Sequence, residues 1–195
     1  MKKVLALVLC AVMSMSLLVG CGNDGADETK TFTVGFDAEY PPYGYMDENG
    51  EYTGFDLELA AAVCEMEGWE LVKTPIDWNA KDMELNSGSI DCIWNGFTMT
   101  PEREAALSFT KPYLDNAQVV IVRRDAGISS LADLAGKKIG LQAGSSAADA
   151  VTANPEFEAS LDEVVEFKDN LTALMDLEIG GVDGVVMDMV VGNYS

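Results

Sequence analysis

The sequence contains no histidine among its 195 residues. Histidine is the commonest metal-binding side chain and the usual base of Ser-His and Cys-His catalytic pairs. Its absence therefore excludes the usual zinc sites and both of those catalytic pairs. We expect neither a bound metal nor a cofactor.

Basic residues are scarce: the chain has 12 Lys and Arg against 33 Asp and Glu, a net charge of −21. Two of the lysines lie in residues 1–20, which hold no acidic residue, so the rest of the chain carries a net charge of −23. A surface of this sign repels nucleic acid and anionic lipid. Nucleic-acid binding is excluded on charge alone.

Cysteine is also rare, with four residues in the chain. Cys10 and Cys21 belong to the N-terminal segment, so Cys64 and Cys92 are left for the folded part. Their neighbours are largely apolar, which favours two buried thiols. A disulfide between them stays open, because an exported protein permits one and the sequence cannot exclude it.

The N-terminus has the pattern of an export signal. Lys2 and Lys3 precede an uncharged apolar run over residues 4–19. That run is too short for a comfortable membrane span, so a secretory signal is predicted, with an uncleaved membrane anchor as the alternative.

Residues 18–21, LVGC, resemble the lipobox of bacterial lipoproteins. The resemblance implies a signal peptide over residues 1–20, a lipid on Cys21 and a location outside the cytoplasm at the cell membrane. Residues 21–30 are mostly polar and contain Gly and Asp, which is typical of a flexible tether.

The hydrophobic pattern predicts alternating strands and helices. Over residues 31–94 the order is β-α-β-α-β, which predicts a parallel sheet flanked by helices. A second α/β pattern follows a β-branched strand at residues 117–122. We therefore predict an α/β fold of two lobes, each with a mostly parallel sheet. Residues 31–116 form lobe 1, residues 117–122 cross over, and residues 123–195 form lobe 2.

Individual elements follow from the same pattern. Strands are predicted at 31–36, 69–76, 90–94, 117–122, 138–142, 164–167 and 182–187. Helices are predicted to begin near Phe55, Ala80, Pro101, Ser129, Ala147 and Leu171. Pro41 and Pro42 predict a loop after the first strand.

The stretch IDCIWNGFTMTPER, residues 90–103, ends a buried strand and starts a helix. Open α/β sheets hold ligands at strand ends of this kind. The hydroxyl of Thr98 can donate one hydrogen bond to a carboxylate, and the guanidinium of Arg103 can donate two. The alternative is a turn with a solvated arginine.

Other strand ends also carry polar or aromatic groups where ligands bind in such sheets. They are Asp37 with Tyr40, Asn95 with Gly96, Gly144 with Ser145 and Ser146, and Asp188. Trp78 is a further aromatic candidate in a loop. Each group has a structural alternative: the serines suit helix capping, Asp188 a solvated loop, and the aromatic residues a core.

Six runs resemble the polar amino-acid family of extracellular solute-binding proteins of ABC importers. They are YPPY at 40–43, GFDL at 54–57, SGSID at 87–91, TPER at 100–103 with FTKPY at 109–113, LAGKKIG at 134–140 and VDGVVMD at 182–188. The resemblance implies a two-lobed periplasmic-binding-protein fold of type II with its ligand between the lobes. Relatives continue for several tens of residues past Ser195, so we expect the last part of the fold to be missing.

The resemblance also implies roles for the candidate residues. Arg103 would pair with the α-carboxylate of an amino acid, together with Thr98 and the amide of Ser146. Asp188 would face the α-ammonium. A zwitterion held from both lobes makes closure depend on the ligand.

Other roles follow from the same resemblance. Tyr40 and Trp78 would enclose the ligand side chain, and Asp37 would reach its polar end. A carbonyl of Asn95 or Gly96 would be a second acceptor for the ammonium. Relatives often have serine at these two positions, so we expect fewer side-chain contacts to the carboxylate there.

The sequence thus predicts a monomeric, membrane-tethered extracellular receptor that delivers a polar L-amino acid to the permease subunits of an ABC importer. A cationic side chain is favoured over a neutral polar one, because Asp37 lies beside two aromatic walls. We expect a binding protein rather than an enzyme. The alternatives are a dehydratase acting on a prephenate-like acid, with Glu39 as the extra acid, and a sensor domain of a receptor.

Overall fold

The computed structural model of the chain describes residues 29–195. The predicted signal peptide, Cys10, Cys21 and most of the predicted tether lie outside the described residues. Among the helices of residues 29–195, none is long and apolar enough to cross a membrane.

Strands and helices alternate along most of the described chain. The strands are β1 (Thr31–Phe36), β2 (Glu39–Tyr40), β3 (Gly44–Met46), β4 (Tyr52–Thr53), β5 (Glu70–Pro75), β6 (Cys92–Ile93), β7 (Gln118–Val122), β8 (Lys138–Gln142), β9 (Glu163–Phe167) and β10 (Gly184–Asp188). The helices are α1 (Phe55–Glu67), α2 (Lys81–Ser87), α3 (Pro101–Ala106), α4 (Ser146–Thr152), α5 (Pro155–Ser160), α6 (Asn170–Ile179) and α7 (Met189–Tyr194). Short 3-10 helices lie at Trp78–Ala80 and Leu131–Leu134.

The first sheet has the strand order β5-β1-β6 and is parallel throughout. Helix α1 buries Leu57 and Ala60, three residues apart, against β1, as an amphipathic crossover helix does. It ends at Gly68, whose φ of +68° is the left-handed conformation that glycine adopts without strain. The predicted crossover order of this half is confirmed.

The second sheet has the order β7-β10-β8-β9. Strands β10, β8 and β9 are parallel, whereas β7 is antiparallel to β10 and places Gln118 opposite Asp188. The strand predicted to cross between the lobes is therefore also the edge strand of the second sheet.

A small antiparallel sheet of β2, β3 and β4 follows β1. Its aromatic rings Tyr40 and Tyr43 stack with centroids 5.5 Å apart. Both rings join a buried cluster with Leu177, Val185 and Met187 from α6 and β10. Residues from the two halves of the fold thus share one apolar core cluster, which holds the halves together.

Some predicted boundaries are wrong for local reasons. The predicted strand at 90–94 is reduced to β6, because the chain turns at Gly96 with φ +55°. The predicted loop at Pro41 and Pro42 is flanked by the short strands β2 and β3. These strands pair with each other rather than with the main sheets, which the prolines permit.

Two helix predictions also need correction. The helix predicted from Ser129 is a 3-10 turn at Leu131–Leu134, which opens with a capping box of Ser130 and Asp133. The helix predicted from Ala147 starts one residue earlier and stops before Pro155, which begins α5 because proline suits a first helical turn. Helix α7 was not predicted.

The two cysteines of the described chain are free thiols, as the apolar surroundings favour. Cys64 is buried and Cys92 is half-buried. Burial raises the pKa of Cys92 to about 12, with a smaller contribution from the charge of Asp91. Neither thiol is poised to act as a nucleophile at neutral pH.

Candidate functional site

Nine of the ten predicted site residues line one cleft, to which both halves of the fold contribute. They are Tyr40, Trp78, Asn95, Gly96, Thr98, Arg103, Ser145, Ser146 and Asp188. The tenth, Asp37, lines an adjacent cavity that shares Trp78 with the cleft. The cleft has about 10 Å³ of room for the centres of water-sized molecules, enough for one water. It is nearly filled by its own side chains.

Arg103 lies in the first turn of α3 and reaches across the cleft. Its guanidinium donates to the carbonyl of Thr98 at 3.0 Å and to that of Gly144 at 3.3 Å. It also lies 4.8 Å from the ring centre of Phe97 and 3.6 Å from Asp149. Burial lowers the pKa of Arg103, and Asp149 opposes the shift, so the side chain stays charged. With 13% of the side chain exposed, the solvated-arginine alternative is wrong.

The hydroxyl groups beside Arg103 come from both halves. Ser146, the first residue of α4, donates to the hydroxyl of Thr98 at 3.2 Å. Ser145 holds the N-cap position of α4, but its side chain makes no capping bond. Its Oγ is buried and has no hydrogen-bond partner within residues 29–195. Helix capping therefore does not explain the Ser145 side chain. A ligand group that accepts a hydrogen bond from this hydroxyl, or donates one to it, would give it the missing partner.

Asp188 ends β10 and is 9% exposed, so it is not the solvated loop acid of the alternative. Its Oδ1 accepts hydrogen bonds from the amides of Asn116 and Gln118, the second at 2.5 Å. Burial raises the pKa of Asp188 to about 7. An ionised carboxylate at this position lacks a cationic partner among the hydrogen bonds it accepts, and an ammonium group would supply one.

Asp37 follows β1 and is 5% exposed. Its Oδ2 accepts from the amide of Gln142 at 2.6 Å, and its Oδ1 accepts from the backbone N–H of Glu39 at 2.9 Å. Gln142, at the end of β8, also accepts from the amide of Asn170 at 3.1 Å. Burial raises the pKa of Asp37, and these two donors oppose the shift. The Asp37–Gln142 bond joins the ends of strands from the two sheets.

The adjacent cavity is larger, with about 240 Å³ of room for water-sized molecules. Asp37, Glu39, Asp77 and Asp169 give it four carboxyl groups, against one ammonium from Lys168. Burial and the charges of Asp169 and Asp37 raise the pKa of Glu39. The cavity wall is therefore acidic, and Glu39 lies there rather than in the cleft.

The two aromatic candidates are both core residues and cleft walls. Tyr40 belongs to the buried cluster described above and is 5% exposed. Trp78 is 7% exposed and packs edge-on against Phe97, with ring centres 5.4 Å apart. Tyr40 and Trp78 are therefore both buried in the core and part of the cleft wall.

Asn95 and Gly96 line the cleft, but their polar groups bind the protein itself. The Asn95 Oδ1 accepts from the backbone N–H of Asp37 at 3.1 Å. The N–H of Gly96 donates to Asp56, which is fully buried and also accepts from the hydroxyl of Tyr113 at 2.8 Å. The N–H of Gly96 is therefore already used within the protein, and the Asn95 Oδ1 is an acceptor, which cannot donate to a carboxylate.

Lys81, the first residue of α2, was not predicted as a site residue. It is 6% exposed, its Nζ donates to the carbonyl of Gly144 at 3.2 Å, and it lies 5.3 Å from the ring centre of Trp78. Burial lowers the pKa of Lys81. Lys81 and Arg103 thus share one acceptor on the opposite half. Nothing in the sequence pattern identifies Lys81 as a site residue, because a lysine at a helix start is normally solvated.

Sequence reasoning also missed Asn116, Gln118 and Gln142. Asn116 lies two residues before Gln118, the first residue of β7, a spacing that puts both amides on one face of an extended chain. That spacing is a signal that could have found them. Within residues 29–195, no group of three or more acidic or cysteine side chains is placed to hold a metal ion.

The sequence profile of a protein family described as bacterial extracellular solute-binding proteins, family 3, matches residues 32–181. The chain belongs to this family. This solute-binding protein is 35% identical over 147 residues to the arginine-binding extracellular protein ArtP of Bacillus subtilis. It is 32% identical over 180 residues to the ABC transporter arginine-binding protein 1 of Escherichia coli.

The matched parts differ in extent. The match with ArtP covers 74% of the solute-binding protein and 57% of ArtP. The match with the Escherichia coli protein covers 92% of the solute-binding protein and 72% of its relative. A solved structure of an ABC uptake transporter substrate binding protein from Streptococcus pneumoniae with bound histidine has a TM-score of 0.82 and 39% identity. That match covers 84% of this chain and 68% of the other.

These matches confirm the predicted family and the predicted two-lobed α/β fold. The relatives are named as binding proteins, which confirms the prediction of a binding protein rather than an enzyme. The roles assigned to the cleft residues of the solute-binding protein stay predictions.

Proposed function

We propose that this solute-binding protein captures a polar L-amino acid in the cleft and delivers it to the permease subunits of an ABC importer. We propose further that a lipid on Cys21 tethers it outside the cytoplasm and that it acts as a monomer. The observation that carries the proposal is one cleft lined by both Arg103 and Asp188. A zwitterion needs one cationic and one anionic partner, and charge-assisted hydrogen bonds are the strong ones.

The carboxylate partners are Arg103 and the nearby hydroxyls. In the ligand-free chain Arg103 donates to the neutral carbonyl of Gly144. A ligand carboxylate is a better acceptor than that carbonyl and would replace it, in a geometry that suits the guanidinium fork. Ser145, whose hydroxyl is buried without a partner among residues 29–195, would donate as well.

Ligand entry requires the cleft to widen, because one water fills the present space. The lining residues come from both halves of the fold, so an amino acid bound between them favours the closed arrangement. Hinge closure around a ligand is the ordinary way in which two-lobed binding proteins work. A closed, loaded form would be the one presented to the importer.

A cationic side chain is the proposed specificity. Trp78 borders both the cleft and the acidic cavity beyond it, where Asp37, Glu39 and Asp169 lie. Asp37 is joined to the cleft through its hydrogen bond with Gln142, which lines it. A guanidinium, ammonium or imidazolium group would meet negative charge and an aromatic face there. Relatives that bind arginine or hold histidine support the same specificity. A neutral amide is the second candidate, since Asp37 accepts hydrogen bonds from one already.

A thermal-shift screen of the full chain with each of the twenty L-amino acids tests the proposal. An amino acid at 100 times its Kd adds about 2.7 kcal/mol of stability, which raises Tm by several degrees. We expect the largest rise with arginine, lysine or histidine, and none with their D-enantiomers as controls. A chain that no L-amino acid stabilises, and that consumes a prephenate-like acid instead, would contradict the proposal.

A further inference from the structure

Two side-chain amides that precede or begin β7, Asn116 and Gln118, connect the cleft residues to each other. The Gln118 Nε2 donates to the Oδ1 of Asp188 at 2.5 Å and to the Oγ of Ser146 at 3.0 Å. The Asn116 Nδ2 donates to the same Oδ1 and to the Oγ1 of Thr98 at 3.5 Å.

The Ser146 hydroxyl closes the circle by donating to the Thr98 Oγ1 at 3.2 Å. Thr98, Asn116, Gln118, Ser146 and Asp188 therefore form one closed hydrogen-bonded circuit, which we call the amide ring. It spans both halves of the fold, since Thr98 follows β6 whereas Ser146 and Asp188 adjoin β8 and β10.

Each hydrogen bond of the amide ring has a fixed donor and acceptor, and its Gln118–Ser146–Thr98 segment runs in one direction. Both amides donate toward the carboxylate of Asp188, because an amide oxygen facing a carboxylate at hydrogen-bond distance would be repelled. Gln118 also donates to Ser146, and Ser146 donates to Thr98. The Thr98 oxygen accepts twice, so its own proton is left to donate outward. Chains of hydrogen bonds in one direction polarise each other and strengthen that last donor.

The hydrogen bonds of the amide ring leave Asp188 able to accept, and Thr98 able to donate, one further hydrogen bond. Both amides bind Oδ1 of Asp188, so Oδ2 can accept a further donor. Asp188, Thr98 and Ser146 all line the cleft. One circuit thus presents an anionic acceptor and a hydroxyl donor to the same space, at a separation that two amides hold constant.

We propose that Asn116 and Gln118 are positioning residues that fix the spacing between the ammonium acceptor and the carboxylate donors, so that the site selects α-amino acids. The inference rests on the proposed function and adds the device that reads the α-carbon substituents, as distinct from the side chain. The Oε1 of Gln118 is buried without a hydrogen-bond partner within residues 29–195, so the side-chain hydrogen bonds of Gln118 there are the two that its Nε2 donates.

The test is calorimetric titration of the full chain with three probes: L-arginine, agmatine, which lacks the carboxylate, and 5-guanidinopentanoate, which lacks the ammonium. Gln118→Met keeps about the size of the side chain, removes its donors and adds no charge beside Asp188. We expect its affinity for L-arginine to fall about tenfold or more, as for loss of a hydrogen bond to a charged group.

The discriminating readout is the ratio of affinities. The affinity for 5-guanidinopentanoate should change much less, because that probe makes no use of Asp188, so the preference for the α-amino acid should collapse. Gln118→Leu and Asn116→Leu, which add no charge, should shift the ratio in the same direction. Asn86→Leu, at an exposed amide in the last turn of α2, is the matched control and should leave the ratio unchanged. Ligand-free thermal unfolding of each variant separates misfolding from lost selectivity.

Equal losses for L-arginine and 5-guanidinopentanoate in all three ring variants would overturn the inference, since the ring would then be merely structural. The same comparison with L-histidine, histamine and imidazolepropionate, and with L-glutamine, 4-aminobutanamide and glutaramate, covers the other ligand candidates. A wild-type chain that none of the twenty L-amino acids stabilises overturns the proposed function itself and this inference with it.

Discussion

Two buried charges of opposite sign, Arg103 and Asp188, give the cleft its chemistry. Arg103 donates to two backbone carbonyls, and Asp188 accepts from two side-chain amides. Within residues 29–195, the nearest acid to Arg103 is Asp149, at 3.6 Å and largely exposed. Charged groups whose hydrogen-bond partners are neutral are suited to charged ligand groups, because such partners give stronger hydrogen bonds.

Arg103→Ala should weaken the binding of every amino acid by about 30-fold or more, since truncating one partner of a buried charged pair costs about 2–5 kcal/mol. Arg103→Lys should recover only part of the loss, because an ammonium lacks the planar fork. Calorimetric titration measures both. Glu102→Ala, at the exposed preceding residue, is the control. Wild-type affinity in the Arg103→Ala variant would remove the carboxylate anchor.

Asp188 predicts a pH dependence. Its pKa of about 7 in the folded chain lies above the usual carboxyl value, so the ligand-free fold binds a proton between about pH 4 and pH 7. In that range the contribution of Asp188 to the stability of the ligand-free chain falls as the pH rises. Amino-acid binding needs the ionised form, so affinity should fall as the pH drops below 7. Titrations at pH 8, 7, 6 and 5 measure this.

The matched variant for that measurement is Asp188→Asn. It should bind more weakly at pH 8 and lose most of the pH dependence, because the titrating group is gone. A wild-type affinity that is constant from pH 8 to pH 5 would show that the ligand does not depend on an ionised Asp188.

Asp37→Asn should change which amino acid is preferred rather than whether one binds. The asparagine keeps the size of the side chain but removes its negative charge, so the preference for arginine over glutamine should fall severalfold, in line with an attraction of roughly 1 kcal/mol between charges near a protein surface. Competition titration of the two amino acids measures the ratio. An unchanged ratio would mean that Asp37 does not read the side chain.

At the level of elements, α1 is tied to the cleft through Asp56. This residue lies in the first turn of α1 and is fully buried. It accepts from the N–H of Gly96, which ends the β6 segment, and from the hydroxyl of Tyr113 in the loop before β7. Burial raises the pKa of Asp56, and the two donors oppose the shift. One carboxylate therefore joins a helix, a strand end and a loop.

Asp56→Ala should destabilise the fold by about 1–3 kcal/mol, because it leaves the N–H of Gly96 and the hydroxyl of Tyr113 without their acceptor. Urea denaturation of the ligand-free chain measures the change in free energy of unfolding. Glu58→Ala, at an exposed position of the same helix turn, should change it by less than about 0.5 kcal/mol. Equal values for the two variants would contradict the structural role of Asp56.

Long, periodic elements were predictable from sequence, and short ones were not. The bounds of β1 and β8 and the end of α1 at Gly68 agree with the pattern, because hydrophobic periodicity and a glycine cap act locally. The two-residue strand β6 and the 3-10 turn at Leu131–Leu134 depend on turns and neighbouring strands, which periodicity does not report.

The cleft residues also divide into those that a local sequence pattern predicts and those that it does not. Arg103 and Asp188 follow predicted strands, so the rule that ligands sit at strand ends finds them. Gln142 donates a hydrogen bond to Asp37, 105 positions away in the sequence, and Lys81 donates one to Gly144, 63 positions away. Contacts at such separations exist only once the two halves meet, and no local pattern encodes them.

At the scale of the whole molecule, the halves are joined by both apolar and polar contacts. Tyr40 and Tyr43 pack against residues of the second sheet, and the Asp37–Gln142 bond links the strand ends. Arg103 and Lys81 add hydrogen bonds to Gly144 that a ligand carboxylate would compete for. An amino acid in the cleft is expected to replace these bonds to a neutral carbonyl with charge-assisted ones.

A crystal structure of the full chain, grown with the L-amino acid that stabilises it most, tests the central claim most directly. The account predicts the ligand carboxylate within hydrogen-bond distance of Arg103 and Thr98, and the ammonium at Asp188. A ligand bound in the reverse orientation, or outside the cleft lined by these residues, would contradict the account.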